Sequence, residues 1–185
     1  MRSPLSHRRD YSEAQIAPTM RVMSFRRLRS LGFAALLALV VAVPAIAADS
    51  DVVVKSGGVS LTIPDGWAKV DRAPSDVIDP RTLLVVGTKG ARPLANPTCQ
   101  VAAYRVPADG AVVVVIGWKD SFGGPRQLNL KLRRNTFECF DGRGAASQIT
   151  RGGHDYQVSV MVGDKADADT VAAALAVGRS FAVVR

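Results

Sequence analysis

The stretch Ala111-Val-Val-Val-Val-Ile116 is an unbroken run of six apolar residues, five of them β-branched. β-Branched side chains favour strands, and a short apolar run without alternation is typical of a strand buried on both faces. The turn-forming sequence Pro107-Ala-Asp-Gly110 precedes the run, and Trp118 follows it. We therefore predict a central strand over residues 111–116.

The segments on either side of this strand predict further strands. Val59-Ser-Leu-Thr-Ile63 alternates apolar and polar residues after the glycine turn Gly57-Gly58, and Tyr156 to Val162 places four large apolar residues on one face. Other strand-like runs lie at 52–55, 83–86, 99–106, 127–132, 136–140 and 145–150. Short turns between these runs favour antiparallel pairing, whereas Lys119–Arg126, with Gly123-Gly-Pro125, predicts a flexible loop.

One helix is predicted near the C-terminus. Asp167 or Asp169 suits its N-cap, and Val171, Leu175 and Gly178 follow at helical spacing. This stripe of apolar and small residues is suited to close packing on a sheet. The predicted fold class is α+β, a mostly antiparallel twisted sheet covered by a C-terminal helix, in a single domain over residues 49–185.

The first 48 residues predict a leader for export. Arginines at 26, 27 and 29 precede a thirteen-residue apolar run, Leu31–Val43, and Ala45-Ile46-Ala47 offers a signal-peptidase site. The predicted location is secreted, or the periplasmic or cell-wall space. A retained membrane anchor and a buried core helix are the alternatives, although a membrane span needs about 20 apolar residues. Initiation at Met20 or Met23 would give a more ordinary leader, so residues 1–19 are predicted to lie before the true start.

The charge of the chain changes once the leader is set aside. The whole sequence has 24 basic and 16 acidic residues, a formal charge of +8. Residues 1–48 hold seven arginines and two acids, so residues 49–185 keep 17 basic and 14 acidic residues, or +3. One small basic cluster remains, at Lys131, Arg133 and Arg134, and a solvated face explains it. We therefore expect no nucleic-acid partner.

Cys99 and Cys139 are the only cysteines, and we predict that they form a disulfide, because exported proteins meet an oxidising environment. Two buried free thiols are the alternative. A structural zinc site needs four ligands, and His154 is the only histidine after the leader. No metal and no cofactor are expected.

Three short motifs carry a resemblance: Ile63-Pro-Asp-Gly-Trp67 after an opening hairpin, Gly153-His-Asp-Tyr156 before an apolar strand, and Arg179-Ser180-Phe181 after the helix. Together they resemble small exported domains of high-GC Gram-positive bacteria and, loosely, the PsbP-like α+β fold. The resemblance implies a non-enzymatic accessory or binding domain, and it transfers no site residues.

Two functional hypotheses follow. The first is an exported non-enzymatic binding domain, monomeric, that meets an unknown envelope or extracellular partner and has no stable membrane span after cleavage. Trp67, Trp118 and Tyr104 are its candidate ligand-binding residues, although aromatic side chains are commonly buried in a core.

The second hypothesis is an exported hydrolase. His154 and Asp155 would act with a distant serine, Ser121 or Ser159. The sequence has no nucleophile elbow, phosphate-binding loop or dinucleotide-binding glycine motif. The non-enzymatic hypothesis is therefore preferred, with no catalytic residue assigned.

Overall fold

Residues 51–184 are described by a computed structural model, and they contain eleven strands and one helix. The predicted leader, residues 1–48, and the proposed start beyond residue 19 lie outside the described residues. In chain order the elements are β1 (Val52–Ser56), β2 (Val59–Ile63), β3 (Trp67–Lys69), β4 (Arg81–Thr88), β5 (Arg92–Pro93), β6 (Tyr104–Arg105), β7 (Ala111–Gly117), β8 (Arg133–Arg134), β9 (Arg143–Arg151), β10 (His154–Val162), α1 (Ala168–Arg179) and β11 (Ala182–Val183).

The main sheet has six strands in the order β3-β4-β7-β10-β9-β8, and every neighbouring pair is antiparallel. β7 lies in its middle, with Val113 opposite Val86 on one side and Val160 on the other. The prediction of a central strand at 111–116 is confirmed. So is the coarser prediction of a mostly antiparallel sheet with one helix near the C-terminus.

The side chains of β7 enter two separate apolar clusters, one on each face of the main sheet. Val113 and Val115 join a first cluster that includes Leu84, Val158 and Val160. The alternate residues Val112, Val114 and Ile116 join a second cluster with Tyr104 and Met161. All residues of β7 are buried. The absence of alternation in its sequence thus reflects burial on both faces, as predicted.

A smaller sheet and the helix contribute to the first cluster. The small sheet has the order β1-β2-β11, and Val59, Leu61 and Ile63 of β2 are buried in that cluster. Asp167 is the N-cap of α1, and its Oδ1 accepts a hydrogen bond of 2.7 Å from the Thr170 backbone N–H. Asp169 instead lies in the first turn, where its charge suits the positive end of the helix dipole.

Two predicted strands, at 127–132 and 136–140, are not formed, and the strand predicted at 99–106 is reduced to the two residues of β6. Residues 99–103, 127–132 and 136–140 are irregular, and only the short strands β6 and β8 lie beside them. The alternating leucines at 128, 130 and 132 nevertheless belong to the first cluster or pack against it. In place of a ladder bond, the Asn129 N–H donates to the hydroxyl of Ser147 in β9 at 2.8 Å.

The predicted disulfide between Cys99 and Cys139 is present in the structure. It joins residues 40 positions apart, with 6.3 Å between their Cα atoms. Cys99, Phe137 and Phe140 pack against the second cluster. The disulfide therefore ties together the two irregular segments that cover the second face of the main sheet.

Candidate binding site

Of the three aromatic residues proposed from sequence, Tyr104 is not on the surface. Its side chain is 4% exposed and lies in the second cluster. The phenol oxygen accepts a hydrogen bond of 3.2 Å from the Ala73 backbone N–H. Burial raises the pKa of this phenol. The expectation that Tyr104 is exposed for ligand contact is corrected: its hydroxyl anchors the loop before β4, and its ring fills the core.

Trp67 and Trp118 are both half-buried, but they lie at opposite ends of β4. Trp67 pairs with Thr88, the last residue of that strand, whereas Gly117 pairs with Arg81, its first. Each indole packs against one apolar cluster, Trp67 on the first and Trp118 on the second. The two tryptophans therefore cannot form one aromatic site, and each must be considered with its own neighbours.

Trp118 lines two clefts at its end of the sheet. The larger has a volume of about 260 Å³, and its lining includes Ile78, Tyr156 and His154. The smaller has a volume of about 80 Å³, and its lining includes Phe122 and Asp155. Ile78 and Phe122 thus flank the tryptophan on two sides. We call Ile78, Trp118 and Phe122, with the two clefts, the Trp118 surface.

The two flanking residues are unusually exposed. Ile78 is 87% exposed and Phe122 is 80% exposed, the highest values among the large apolar residues exposed within 51–184. Apolar groups in water are unfavourable, and grouped exposed ones mark interaction sites more often than single ones do. Sequence reasoning missed both residues. For Phe122 a signal was available, because it is the one large apolar side chain in the polar segment Lys119–Arg126.

The backbone beside Phe122 is held by the carboxylate of Asp155. Its Oδ2 accepts a hydrogen bond of 2.7 Å from the Phe122 N–H, and its Oδ1 accepts one of 2.9 Å from the Ser121 hydroxyl. The Thr150 hydroxyl also donates to Oδ1 and accepts 2.7 Å from the Gly124 N–H. The hydrogen bonds from Thr150, Phe122 and Ser121 hold the pKa of Asp155 below its usual range.

This arrangement, which we call the Asp155 clamp, fixes a segment that was predicted to be a flexible loop. The Thr150 N–H donates to the Pro125 carbonyl at 3.0 Å, so both ends of the 121–125 segment are bonded to the β9–β10 hairpin. The prediction that Lys119–Arg126 lacks regular structure is confirmed, but its backbone has defined partners. Phe122 is therefore exposed on a backbone that is already ordered, which lowers the entropy lost on binding.

The catalytic arrangement of the hydrolase hypothesis is not assembled. Nδ1 of His154 lies 2.8 Å from the Lys119 carbonyl oxygen. Ser121 donates to Asp155, and Ser159 is buried and accepts from the Gln157 amide at 2.9 Å. Within residues 51–184, no serine, threonine or cysteine hydrogen-bonds to the His154 ring. His154 and Asp155 thus act separately, each on the 118–126 segment.

Residues 51–184 contain no group of three or more His, Cys, Asp or Glu side chains arranged to hold a metal ion. Over the same residues, none of the helical structure is both long and apolar enough to cross a membrane.

Comparison of the chain with protein-family models, with curated proteins and with solved structures gave no match. The PsbP-like resemblance therefore stays a prediction.

The Asp155 clamp makes a testable prediction about pH. Replacing Asp155 with asparagine places an amide where three donors converge, so we expect faster proteolysis within residues 119–126 and lower stability at neutral pH. Because the folded pKa of Asp155 is lowered, its stabilising effect is full above the unfolded pKa, about 3.9. That effect is lost as the pH falls through the folded value.

The stability difference between wild type and D155N should therefore shrink on acidification. Urea unfolding at a series of pH values measures this, with Asp120→Asn as the control in the same segment. If the difference in unfolding free energy between wild type and D155N stayed constant down to the lowest pH at which both proteins fold, the stabilising role of the Asp155 clamp would be contradicted.

Proposed function

We propose that the protein is an exported, non-enzymatic accessory or binding domain of the cell envelope or secretome, and that the Trp118 surface contacts its partner. The observation that carries this proposal is the exposure of Ile78 and Phe122 beside a half-buried tryptophan, with Phe122 on a backbone fixed by Asp155. Aromatic and apolar residues at the centre of an interface commonly dominate binding energy.

Two features support export. The sequence of residues 26–48 has the basic, apolar and small-residue regions of a secretory signal in the usual order. The Cys99–Cys139 disulfide is a bond that persists in oxidising compartments. Irregular segments joined by this disulfide cover one face of the main sheet. A domain that depends on such a bond suits a location outside the cytoplasm.

We also propose that α1 covers one face of the main sheet. Ala174 and Val177 of the helix share the first cluster with Val158 and Val160 of β10. A Cβ atom on Gly178 would lie 2.9 Å from Cγ2 of Val160, so glycine allows a close approach of the helix to the strand.

A photo-crosslinking experiment tests the proposed surface. A photoreactive phenylalanine analogue at position 122 should give a discrete crosslinked partner from intact cells. The same analogue at position 94 is the control, since Leu94 is exposed but lies outside the Trp118 surface. Replacing Ile78 with serine should reduce the position-122 product at least severalfold, with unchanged thermal stability. Equal products from positions 122 and 94, or no effect of Ile78→Ser, would overturn the assignment of this surface.

The export part of the proposal has its own readout. Mass spectrometry of the protein recovered outside the cell should give an N-terminus near Ala48 and a mass two hydrogens below that of the reduced chain. Recovery only from the cytoplasm with residues 26–48 still attached would contradict export, whatever the crosslinking shows.

A further inference from the structure

We propose that the larger cleft of the Trp118 surface receives one apolar side chain of a partner protein that carries an acidic residue next to it. This inference rests on the proposed function and adds the chemistry of the segment that is bound. The cleft is bounded by the Gly57 turn, the start of β4, the end of β7 and the first residues of β10. We call it the Trp118 groove.

The volume of the groove limits what it can hold. Sites for drug-sized ligands have volumes of about 300–1,000 Å³. The Trp118 groove has about 260 Å³, with Leu83, Trp118 and Tyr156 among its apolar walls and Ile78 at its edge. A space of this size suits one inserted side chain better than a complete cofactor or oligosaccharide. The protruding Phe122 beside it would then contact the surface around the inserted residue.

Among the described residues that line the groove, two carry a positive charge and one carries a negative charge. The side chains of Arg81 and Lys119 line the groove and are exposed, and neither forms an ion pair within residues 51–184. Asp79 is the only carboxylate among the lining residues, and its Oδ1 accepts a hydrogen bond of 3.0 Å from the Lys119 backbone N–H. The nearby carboxylate of Asp155 is already bonded to three donors in the clamp.

His154 adds a further polar group at the same place. Because a carbonyl oxygen only accepts, the 2.8 Å contact with Lys119 makes Nδ1 of His154 the donor. Nε2 has no protein partner in the described part of the chain, and in a neutral ring that donates through Nδ1 it is a hydrogen-bond acceptor. The lining thus combines two cations, one carboxylate and this imidazole with the apolar side chains of Leu83, Trp118 and Tyr156.

Charge complementarity therefore favours an anionic occupant with an apolar part. Exposed ion pairs add little affinity, but they discriminate strongly between partners, because a like charge placed against Arg81 and Lys119 is repelled. A basic peptide of equal apolar content should bind less well. The apolar side chain would supply most of the affinity, and the flanking carboxylate would select the partner.

The test uses three labelled peptides and residues 49–185 as the secreted protein. One peptide carries Asp-Phe-Asp at its centre, one Lys-Phe-Lys and one Asp-Ala-Asp. Fluorescence anisotropy at low and high salt reports their affinities. The acidic phenylalanine peptide should bind at least about fivefold tighter than either of the others, with a dissociation constant below about 1 mM. Its advantage over the basic peptide should fall as salt is added.

Matched charge variants isolate the groove. Arg81→Gln with Lys119→Gln should weaken binding of the acidic peptide about three- to tenfold and leave the basic peptide unaffected or improved. Arg133→Gln with Arg134→Gln removes the same charge from the exposed edge strand β8, outside the groove, and should have no such effect. Identical behaviour of the two double variants would assign the preference to net charge and overturn the inference.

The proposal also fails if the acidic and basic peptides bind equally, or if neither binds below about 1 mM. That failure is distinguishable from failure of the proposed function. If the charge preference is absent but crosslinking at position 122 persists, the Trp118 surface remains the proposed contact site and only the acidic character of the partner is rejected. Loss of crosslinking would remove the surface itself.

Discussion

Replacing Leu84 with alanine is expected to destabilise the protein by about 2–5 kcal/mol, the usual effect of truncating a fully buried leucine. Leu84 is 0% exposed and lies in β4, beside the central strand. Its side chain belongs to the first cluster, where the main sheet, the small sheet and α1 all contribute residues. No single neighbour can fill the vacated space, because most of them are β-branched residues on paired strands with few alternative rotamers.

Urea unfolding followed by circular dichroism measures this change. Leu94→Ala is the matched control, since Leu94 is 39% exposed, lies in an irregular segment and donates its backbone N–H to Ala103 whatever its side chain. We expect its effect to stay within about 0.5 kcal/mol. Similar losses for the two variants would mean that β4 is not part of the structural core.

Loss of the disulfide is expected to have an effect of similar size. The double substitution Cys99→Ser and Cys139→Ser opens a loop with a sequence separation of 40, and in the chain-entropy account this costs about 4 kcal/mol. Small domains are stable by only about 5–15 kcal/mol in total. The segments that the disulfide joins have little regular structure, so few ladder hydrogen bonds compensate for its loss.

The control for this prediction is chemical. A reductant should lower the stability of the wild-type protein by about as much as the double substitution does, and it should leave the double variant unchanged. Exchange of backbone amides in β7 should accelerate as global stability falls, because β7 is the central strand. Equal stability of the oxidised and reduced wild-type protein would show that the two irregular segments hold together without the bond.

These two predictions concern opposite faces of the same strand. Leu84 contributes to the first cluster, and the disulfide closes the cover of the second. Both faces of the main sheet must be covered by packed side chains, because β7 has apolar residues at every position from Ala111 to Ile116. A strand of this kind cannot leave either side in water without exposing at least two β-branched side chains, Val113 and Val115 on the first face or Val112, Val114 and Ile116 on the second.

Much of this framework was predictable because its signals are local. The unbroken apolar run of β7, the alternation in β2 and β10, and the cap and spacing of α1 all specify burial and element type within a few residues. The two cysteines could be paired because no others exist. The same signals failed at 99–103, 127–132 and 136–140, where apolar residues are buried by tertiary packing without strand pairing.

The candidate site depended on information that is not local. Tyr104, Trp67 and Trp118 look alike in sequence, but the sheet buries the first and places the other two at opposite ends of β4. Asp155 was considered with its sequence neighbour His154, whereas its carboxylate bonds to a segment more than 30 residues earlier.

The sequence by itself thus determined the central strand β7, the strands β2 and β10, the helix, the disulfide partners and the expectation of export, because periodicity, turn residues and composition act over short stretches of chain. Only the tertiary structure decided which aromatic residues reach the surface and that Ile78 and Phe122 flank Trp118. Those features follow from strand order and register, which are set by the packing of distant segments against one another.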